Sequence, residues 1–252
     1  MFEPEDLSDD AFLGGLVRLW QPLHGYRAST DPVLLAACCG ARPGETLLDL
    51  GCGIGTAALC LGRRVPGVVL FGVEILPDYA DLARRNALRS GIKMQVATGS
   101  VLEMPRALRV DFDHVITNPP YFRPTGTPAD DPSRDRALRE DVSLTVWIAA
   151  AKRRLRPGGW LTLVLRADRL DDAIRALGPG MGSIRILPLS PRPGRDAGRV
   201  ILRARKTGRA ALRLLAPFIL HSGDQHPGDR NNHSPEAEAV FRQGKGLNHL
   251  FD

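Results

Sequence analysis

The segment LLDLGCGIGTA combines an acid with glycines at every second position: Asp49, Gly51, Gly53 and Gly55. Glycine has no Cβ, so the backbone of such a run can approach a ligand closely. The helix predicted to follow would present N–H groups and a partial positive charge to an anionic group. A tight strand-to-helix turn without a ligand would also account for the pattern. The run therefore predicts either a ligand-binding loop or a turn.

A second acid, Glu74, follows the next predicted strand, 25 residues after Asp49. Its carboxylate could accept hydrogen bonds from the two ribose hydroxyls of an adenosine-containing ligand. A dinucleotide fingerprint needs its third glycine three positions after the second, and Thr56 occupies that position. The spacing thus favours an adenosine-containing ligand other than NAD.

The segment DHVITNPPYF places Asn118, Pro119, Pro120 and Tyr121 directly after an apolar, β-branched run. Prolines cannot continue a ladder of strand hydrogen bonds, so the motif could simply end a buried strand. An amide and an aromatic ring at a strand end could equally form part of a binding site, because open α/β sheets bind ligands there.

Both motifs depend on an alternation of predicted strands and helices. The predicted strands are ETLLDLG, VVLFGVE, MQVAT, FDHVIT and WLTLVLRA, and the helices between them are IGTAALCLGRR, PDYADLARRNALRSG and SLTVWIAAAKRRLRPGG. Strands that are continuously apolar and separated by helices predict a parallel sheet covered on both faces. SIRILPL and GRVILRARK follow, joined by a loop that indicates antiparallel partners. We predict a doubly wound, Rossmann-like α/β fold with seven strands and a reversed last strand.

The composition is that of a globular protein, with 43% hydrophobic and 25% charged residues. The acidic start lacks a signal peptide, and no apolar run approaches the roughly 18 residues of a membrane span. The four cysteines and the histidines show no metal-ligand spacing. We expect a cytoplasmic protein without a membrane span, disulfide framework or metal site.

Positive charge is concentrated between Arg192 and Arg213, where seven arginines and one lysine face a single acid. Such a stretch is typical of a protein that binds nucleic acid, although a solvated charged edge strand would also explain it. Within the last predicted strand, apolar residues alternate with basic ones. We predict that its basic face is exposed and contacts RNA through Arg199, Arg203, Arg205 and Lys206.

Together these residues resemble class I S-adenosylmethionine-dependent methyltransferases. The resemblance rests on the Asp49 glycine loop, on the acid ending the second strand, and on NPPY ending the fourth. The upstream segment LWQPLHGYRASTDPVLLAACC is similar to the bacterial family that methylates an anticodon-loop adenine of valine tRNA at N6. The resemblance covers about residues 12–206. It implies S-adenosyl-L-methionine as cofactor and tRNA or another structured RNA as partner.

The resemblance gives the NPPY residues a chemical role. An exocyclic amine or an amide nitrogen is a poor nucleophile because its lone pair is delocalised. The Asn118 side-chain oxygen and the Pro119 carbonyl could accept the amine's hydrogens, Pro120 would stiffen the turn, and Tyr121 could stack on a flipped base. A protein glutamine methyltransferase, an rRNA guanine N2-methyltransferase or a non-catalytic RNA-binding module remain alternatives.

Other cofactor contacts are implied by the resemblance. It places Arg27, Thr30 and Asp31 near the methionine end of the cofactor, with Arg27 on its carboxylate and Asp31 on its ammonium. Thr30 and Asp31 could instead only cap a helix that begins near Pro32. Ser100 stands where many relatives have an acid, and could accept a bond from the adenine amine.

The remaining segments carry weaker signals. The cluster KRRLR at 152–156 is expected for cations at a helix C-terminus. The polar segment 123–137 could close over substrate or be an inert insertion. We divide the chain into a methyltransferase domain, 1–206, and an appendage, 207–252, packed on the sheet edge. The appendage contains a helix that we predict to start after Ser234 and to end at Gly244.

Overall fold

In the computed structural model, the described residues are 1–120, 142–223 and 232–252. Tyr121 and the predicted loop 123–137 lie outside these ranges. Among the described residues, no helix has the length and apolar character needed to cross a bilayer.

Eleven strands are described. They are β1 (Leu7–Phe12), β2 (Val17–Pro22), β3 (Thr46–Leu50), β4 (Val69–Glu74), β5 (Met94–Thr98), β6 (Phe112–Thr117), β7 (Leu155–Arg166), β8 (Met181–Ser190), β9 (Arg199–Lys206), β10 (Arg213–Leu214) and β11 (Phe218–Ile219). The first two form a separate antiparallel hairpin, and the other nine form one sheet.

Six α-helices lie within the described ranges. They are α1 (Thr30–Cys38), α2 (Thr56–Arg64), α3 (Pro77–Arg89), α4 (Leu144–Arg154), α5 (Leu170–Leu177) and α6 (Pro235–Gln243). α3 begins at Pro77, as its predicted segment does. The predicted start of α6 after Ser234 is confirmed, because the Ser234 hydroxyl caps the helix by accepting from the Ala237 N–H at 3.1 Å. The helix predicted for SLTVWIAAAKRRLRPGG is too long at its C-terminus: α4 ends at Arg154 and the chain enters β7 directly afterwards.

The strand order confirms the predicted fold. The main sheet runs β10-β8-β9-β7-β6-β3-β4-β5, and β11 also pairs with β8. β9 is antiparallel to both of its neighbours, whereas the other pairings are parallel. The seven predicted strands are therefore present with the last one reversed. The sheet is wider than predicted because β10 and β11, two residues each, add to the edge strand β8.

The predicted exposed basic face of β9 is observed only in part. β9 lies inside the sheet between β7 and β8; Arg205 is exposed and Arg199 and Lys206 are partly exposed, whereas the middle of the strand is buried on both faces. Val200 and Leu202 are buried on one face and Ile201 on the other. Arg203 is 7% exposed, and its guanidinium stacks between the rings of Trp160 and Phe251. At Arg203 the basic side of the strand is therefore covered by a later part of the chain, Phe251.

The sequence does not predict the β1–β2 hairpin. Asn86 of α3 connects this hairpin to the helices by hydrogen bonds. The Asn86 amide oxygen accepts from the Trp20 N–H at 2.8 Å, and its nitrogen donates to the Trp20 and Ile54 carbonyls at 3.0 and 3.1 Å. One fully buried amide therefore joins the hairpin to the turn before α2. The hairpin and the chain that follows it cover the same side of the sheet as α1 and α2.

Candidate active site

A cavity of about 450 Å³ opens at the carboxyl ends of β3, β4, β5 and β6. This is where open α/β sheets bind ligands. The cavity brings together eight of the residues singled out from the sequence: Asp49, Gly51, Gly53, Glu74, Ser100, Asn118, Pro119 and Pro120. The two motifs that are 69 residues apart in the chain thus face one space, because β3 and β6 are neighbours in the sheet.

The glycine loop crosses the end of β4, where the N–H groups of Gly51 and Cys52 donate to the Val73 carbonyl at 2.9 and 3.0 Å. Gly51 and Gly53 have φ values of +74° and +54°, a region that favours glycine. A Cβ added at Gly51 would also lie 2.8 Å from the Trp147 ring. Both glycines are therefore required by the conformation of the loop. Gly55 caps α2 with φ +88° and does not line the cavity.

Asp49 lies at the base of the cavity and is only 2% exposed. Its carboxylate accepts from the Ala58 N–H of α2 at 3.2 Å. Burial raises the pKa of Asp49 to about 7, and the nearby Glu74 carboxylate contributes to the rise. A cationic group beside Asp49 would stabilise the ionised carboxylate and so offset the destabilisation caused by burial and by the Glu74 charge. The site therefore favours a ligand with a positive charge near Asp49.

Glu74 is 8% exposed and ends β4 beside the glycine loop. Its Oε2 accepts from the Gly53 N–H at 2.9 Å, and its Oε1 accepts from the Leu76 N–H at 2.9 Å. Burial raises the pKa of Glu74, against the effect of these backbone bonds. A carboxylate has about four acceptor positions, so each oxygen can still accept from a ligand hydroxyl.

Asn118 is linked to a tyrosine that we had not singled out. The Asn118 Nδ2 donates to the Tyr26 hydroxyl at 3.4 Å. The backbone of Tyr26 is held by the Tyr79 hydroxyl, which accepts from the Tyr26 N–H at 2.9 Å and donates to its carbonyl at 3.3 Å. Burial raises the pKa of Tyr26 to about 12, so its hydroxyl stays protonated. Tyr26 belongs to no motif with regular spacing. The only signal that could have found it is its position inside LWQPLHGYRASTDPVLLAACC, the upstream segment on which the resemblance rests.

Trp147 of α4 also lines the cavity and was missed in the sequence. Its Nε1 donates to the Thr117 hydroxyl at 2.6 Å, and this hydroxyl donates to the Leu50 carbonyl at 2.8 Å. These bonds tie α4 to the ends of β6 and β3. They fix the strand end from which Asn118 projects.

Arg27, Thr30 and Asp31 do not line the cavity. The Arg27 guanidinium pairs with Asp10 of β1 at 2.5 Å, and Asp31 forms an ion pair with Arg199. Their predicted contacts with a ligand stay predictions. Ser100 does line the cavity, and its hydroxyl accepts from the Leu102 N–H at 3.1 Å.

The four residues predicted to bind RNA lie along the whole of β9, so they do not form one cluster. Arg199 pairs in register with Arg166 at the end of β7, on the side of the cavity, whereas Arg205 pairs with Trp160 near its start. Six residues of strand separate the two arginines by about 20 Å. Arg205 and Lys206 donate to the Gly158 and Leu155 carbonyls at the far end of the sheet.

Arg203, between them, is not on an exposed surface, because its guanidinium is buried between two rings. Burial also lowers its pKa. The prediction that Arg203 lies exposed on the solvent face is wrong, since Phe251 covers it, and its contact with RNA stays a prediction.

Curated relatives match more than half of this chain. The chain is 35% identical over 156 residues to a tRNA1(Val) (adenine(37)-N6)-methyltransferase of Porphyromonas gingivalis, which covers 58% of this chain and 61% of that protein. A protein of the same name from Yersinia enterocolitica is 30% identical over 196 residues, or 75% and 77% of the two chains. A release factor glutamine methyltransferase of Geobacter sulfurreducens is 32% identical over 157 residues, or 59% and 55%. The chain thus spans about three fifths of the length of the first of these relatives.

Among solved structures, a predicted O-methyltransferase from Agrobacterium tumefaciens superposes with a TM-score of 0.68 at 27% identity. It covers 86% of this chain and 97% of its own. The family described as the methyltransferase small domain matches residues 30–177, from the start of α1 to the end of α5. Since this match takes in more than half of the chain, together with the glycine loop, Glu74 and NPPY, the chain belongs to the methyltransferase small domain family.

Proposed function

We propose that the cavity binds S-adenosyl-L-methionine. The residues fit this cofactor: the loop has no side chains at Gly51 and Gly53, and Glu74 presents acceptors for two ribose hydroxyls. Asp49, whose pKa is raised to about 7, suits the cofactor's ammonium group better than an anion. The sequence assigned that ammonium to Asp31, but Asp49 lines the cavity and Asp31 does not.

The adenine would lie at the β4–β5 end of the cavity. Ile75 and Val101 provide apolar side chains there, one after each strand. The Ser100 hydroxyl accepts one backbone bond and keeps a second lone pair and its own proton. It can therefore accept from the adenine amine or donate to a ring nitrogen, in place of the acid expected at this position.

The bound cofactor supplies a methyl group on a sulfonium, which is already a good electrophile. What the chain contributes is the position of the incoming nitrogen. With its amide nitrogen bonded to Tyr26, Asn118 offers its oxygen to the substrate amine, and the Pro119 carbonyl offers a second acceptor. Holding two N–H groups orients the nitrogen lone pair toward the methyl group. Stacking by Tyr121 on the base is predicted from the sequence alone.

The substrate that we propose is the N6 amine of an adenine in tRNA, in the cytoplasm. The observation that carries this proposal is the match to tRNA1(Val) (adenine(37)-N6)-methyltransferases, which extends over 75% of the chain in the Yersinia protein. The second candidate is a protein glutamine amide, favoured by the match to a release factor glutamine methyltransferase over 59% of the chain. Both nitrogens need the same acceptors, so Asn118 does not distinguish them.

Methyl transfer from labelled cofactor to unmodified tRNA and to release factor, with mass spectrometry of the digested products, tests the proposal. We expect an N6-methylated adenosine, and about 10²-fold slower transfer by Asn118→Ala at unchanged cofactor affinity. Calorimetry with S-adenosylhomocysteine tests the cofactor: Glu74→Ala should lose about 1.5–3 kcal/mol of binding. If only the glutamine of release factor is methylated, the substrate is a protein and not tRNA. If Glu74→Ala binds S-adenosylhomocysteine as tightly as the wild type, Glu74 does not contact the ribose.

A further inference from the structure

A second concave surface adjoins the candidate active site. This cleft, of about 470 Å³, lies between α4 and the chain that connects β5 to β6. Val101 lines both the cleft and the active-site cavity, so the two share a wall. The cleft is lined by Val101, Leu102, Glu103, Met104, Arg109, Ala150, Arg153 and Arg154.

Three arginines from two elements meet in this cleft. Arg153 and Arg154 end α4, where a helix favours cations, but Arg109 belongs to the chain before β6 and is not explained by that helix. The Arg109 Nε donates to the Met104 carbonyl at 2.8 Å, and an Arg154 terminal nitrogen donates to the Leu108 carbonyl at 3.4 Å. These backbone bonds hold two of the three guanidinium groups at the cleft.

The guanidinium groups keep most of their hydrogen-bonding capacity. Each has five N–H donors, and the backbone bonds of Arg109 and Arg154 use one apiece. Within the described ranges, none of the three forms an ion pair with an acidic side chain, although Glu103 also lines the cleft. A cleft with three such arginines and one acid has a net positive charge. Its donors match the oxygens of phosphate groups.

The cleft also has a geometric relation to the reacting atoms. α4 carries Trp147 in the active-site cavity and Arg154 in the cleft, seven residues or about 10 Å further along the helix. Beyond the helix, Arg205 and Lys206 lie at the end of β9, whereas Arg156 at the start of β7 forms an ion pair with Asp113. A basic path thus leads from the cavity along α4 to the far end of the sheet. It brings together the cluster KRRLR at 152–156 and the basic stretch between Arg192 and Arg213, which are separate in the sequence.

We propose that this cleft binds backbone phosphates of the RNA whose base enters the cavity. The inference rests on the proposed RNA substrate. The described residues that line the cleft include no aromatic side chain on which a base could stack, so the cleft would hold the strand without selecting its sequence. It also explains how Arg205 and Lys206 could take part in RNA binding although they lie about 20 Å from the cavity end of β9.

The test uses the full chain with Arg109→Gln and Arg153→Gln together. Arg42→Gln with Arg63→Gln is the matched control, because these exposed arginines lie before β3 and at the end of α2, away from α4. Binding to unmodified tRNA is measured from 50 to 300 mM salt. Losing two phosphate contacts should reduce the log–log salt slope by about 1.4 and raise KM for tRNA about tenfold. The kcat at saturating tRNA and the affinity for S-adenosylhomocysteine should not change, because no reacting atom is touched.

Each outcome decides the inference. If the cleft variant binds tRNA with the slope and KM of the control, the cleft is not a phosphate site, while methylation of tRNA by the wild type would leave the proposed function intact. If the wild type methylates only a protein glutamine and binds tRNA without salt dependence, both proposals fail. If the control loses as much affinity as the cleft variant, the effect is one of net charge, and the assignment to the cleft is rejected.

Discussion

At the scale of single residues, the site depends on which end of one amide faces the substrate. A side-chain amide has an acceptor and a donor end of nearly equal shape, and only the oxygen can receive the hydrogens of an amine. The Tyr26 hydroxyl accepts from the Asn118 nitrogen, and Tyr79 holds the backbone of Tyr26. Tyr26 is therefore a positioning residue for Asn118, supported from α3.

Tyr26→Phe should lower kcat about tenfold, since a lost hydrogen bond of roughly 1.4 kcal/mol would let the amide rotate. The affinity for S-adenosylhomocysteine should change less than twofold. In an Asn118→Ala background the same substitution should have no further effect on kcat. A double-mutant cycle of the four proteins measures this coupling. Equal losses in both backgrounds would show that Tyr26 acts independently of Asn118.

Asp49 should make cofactor binding depend on pH. Its pKa is raised to about 7 in the ligand-free protein, and a ligand ammonium beside it would favour the ionised carboxylate. Below pH 7, binding must therefore expel a proton. The affinity for S-adenosylhomocysteine should rise by up to tenfold per pH unit from pH 5.5 to 7 and then level off, as measured by calorimetry.

Asp49→Asn is the control for this titration, because it keeps the shape of the side chain and removes its proton exchange. The variant should bind more weakly at pH 7.5 and show a flat profile. If the slope persists in Asp49→Asn, Glu74 is the titrating group, since burial raises the pKa of that carboxyl as well.

At the scale of elements, the reversal of β9 has the largest consequence for function. Arg199 and Arg205 lie at the two ends of one strand, and the antiparallel register places Arg199 rather than Arg205 at the cavity end of the sheet. The β1–β2 hairpin is the second element whose placement affects the site. It lies outside the main sheet, and Asn86 couples it to the turn that carries Ile54, a residue of the cavity wall.

Asn86→Ala should therefore lower the free energy of unfolding by about 2–3 kcal/mol, because it leaves buried Trp20 and Ile54 groups without their partner. Cofactor affinity should fall with it, as the turn at Ile54 loses its anchor. Ser90→Ala, directly after the same helix, is the control, since its hydroxyl makes only a 3.5 Å bond. Chemical denaturation measures both variants, and equal effects would show that Asn86 has no special role in joining the hairpin.

At the scale of the whole molecule, residues after 206 pack on the methyltransferase core in two places. β10 and β11 extend the sheet edge at β8, as predicted for the appendage. α6 packs against α1, and the Leu247 N–H donates to the Ala37 carbonyl at 2.8 Å. Phe251 then covers the buried guanidinium of Arg203. The C-terminal residues thus complete one face of the core as well as its edge.

We predict that a chain ending at residue 206 does not melt cooperatively, because it would expose Arg203 and the surface covered by Val240 and Phe251. The milder substitution Phe251→Ala should cost about 3 kcal/mol of unfolding free energy, whereas Leu214→Ala, on an exposed side chain, should cost close to none. Calorimetry of the three proteins gives the result. A fragment 1–206 that melts like the full chain would establish the predicted boundary as a domain boundary.

The amino-acid sequence by itself determined the seven core strands, the reversed last strand, and the positions Asp49, Gly51, Gly53, Glu74, Asn118, Pro119 and Pro120 that meet in the cavity. These depend on local rules: apolar runs, helix caps, and the fact that parallel strands end at a common edge. Only the tertiary structure decided that Arg203 is buried, that Tyr26 contacts Asn118, that Asp31 pairs with Arg199 and does not line the cavity, and that Arg109 joins Arg153 in one cleft. Each of these depends on which distant segment covers a given face or reaches a given side chain, and spacing along the chain does not carry that information.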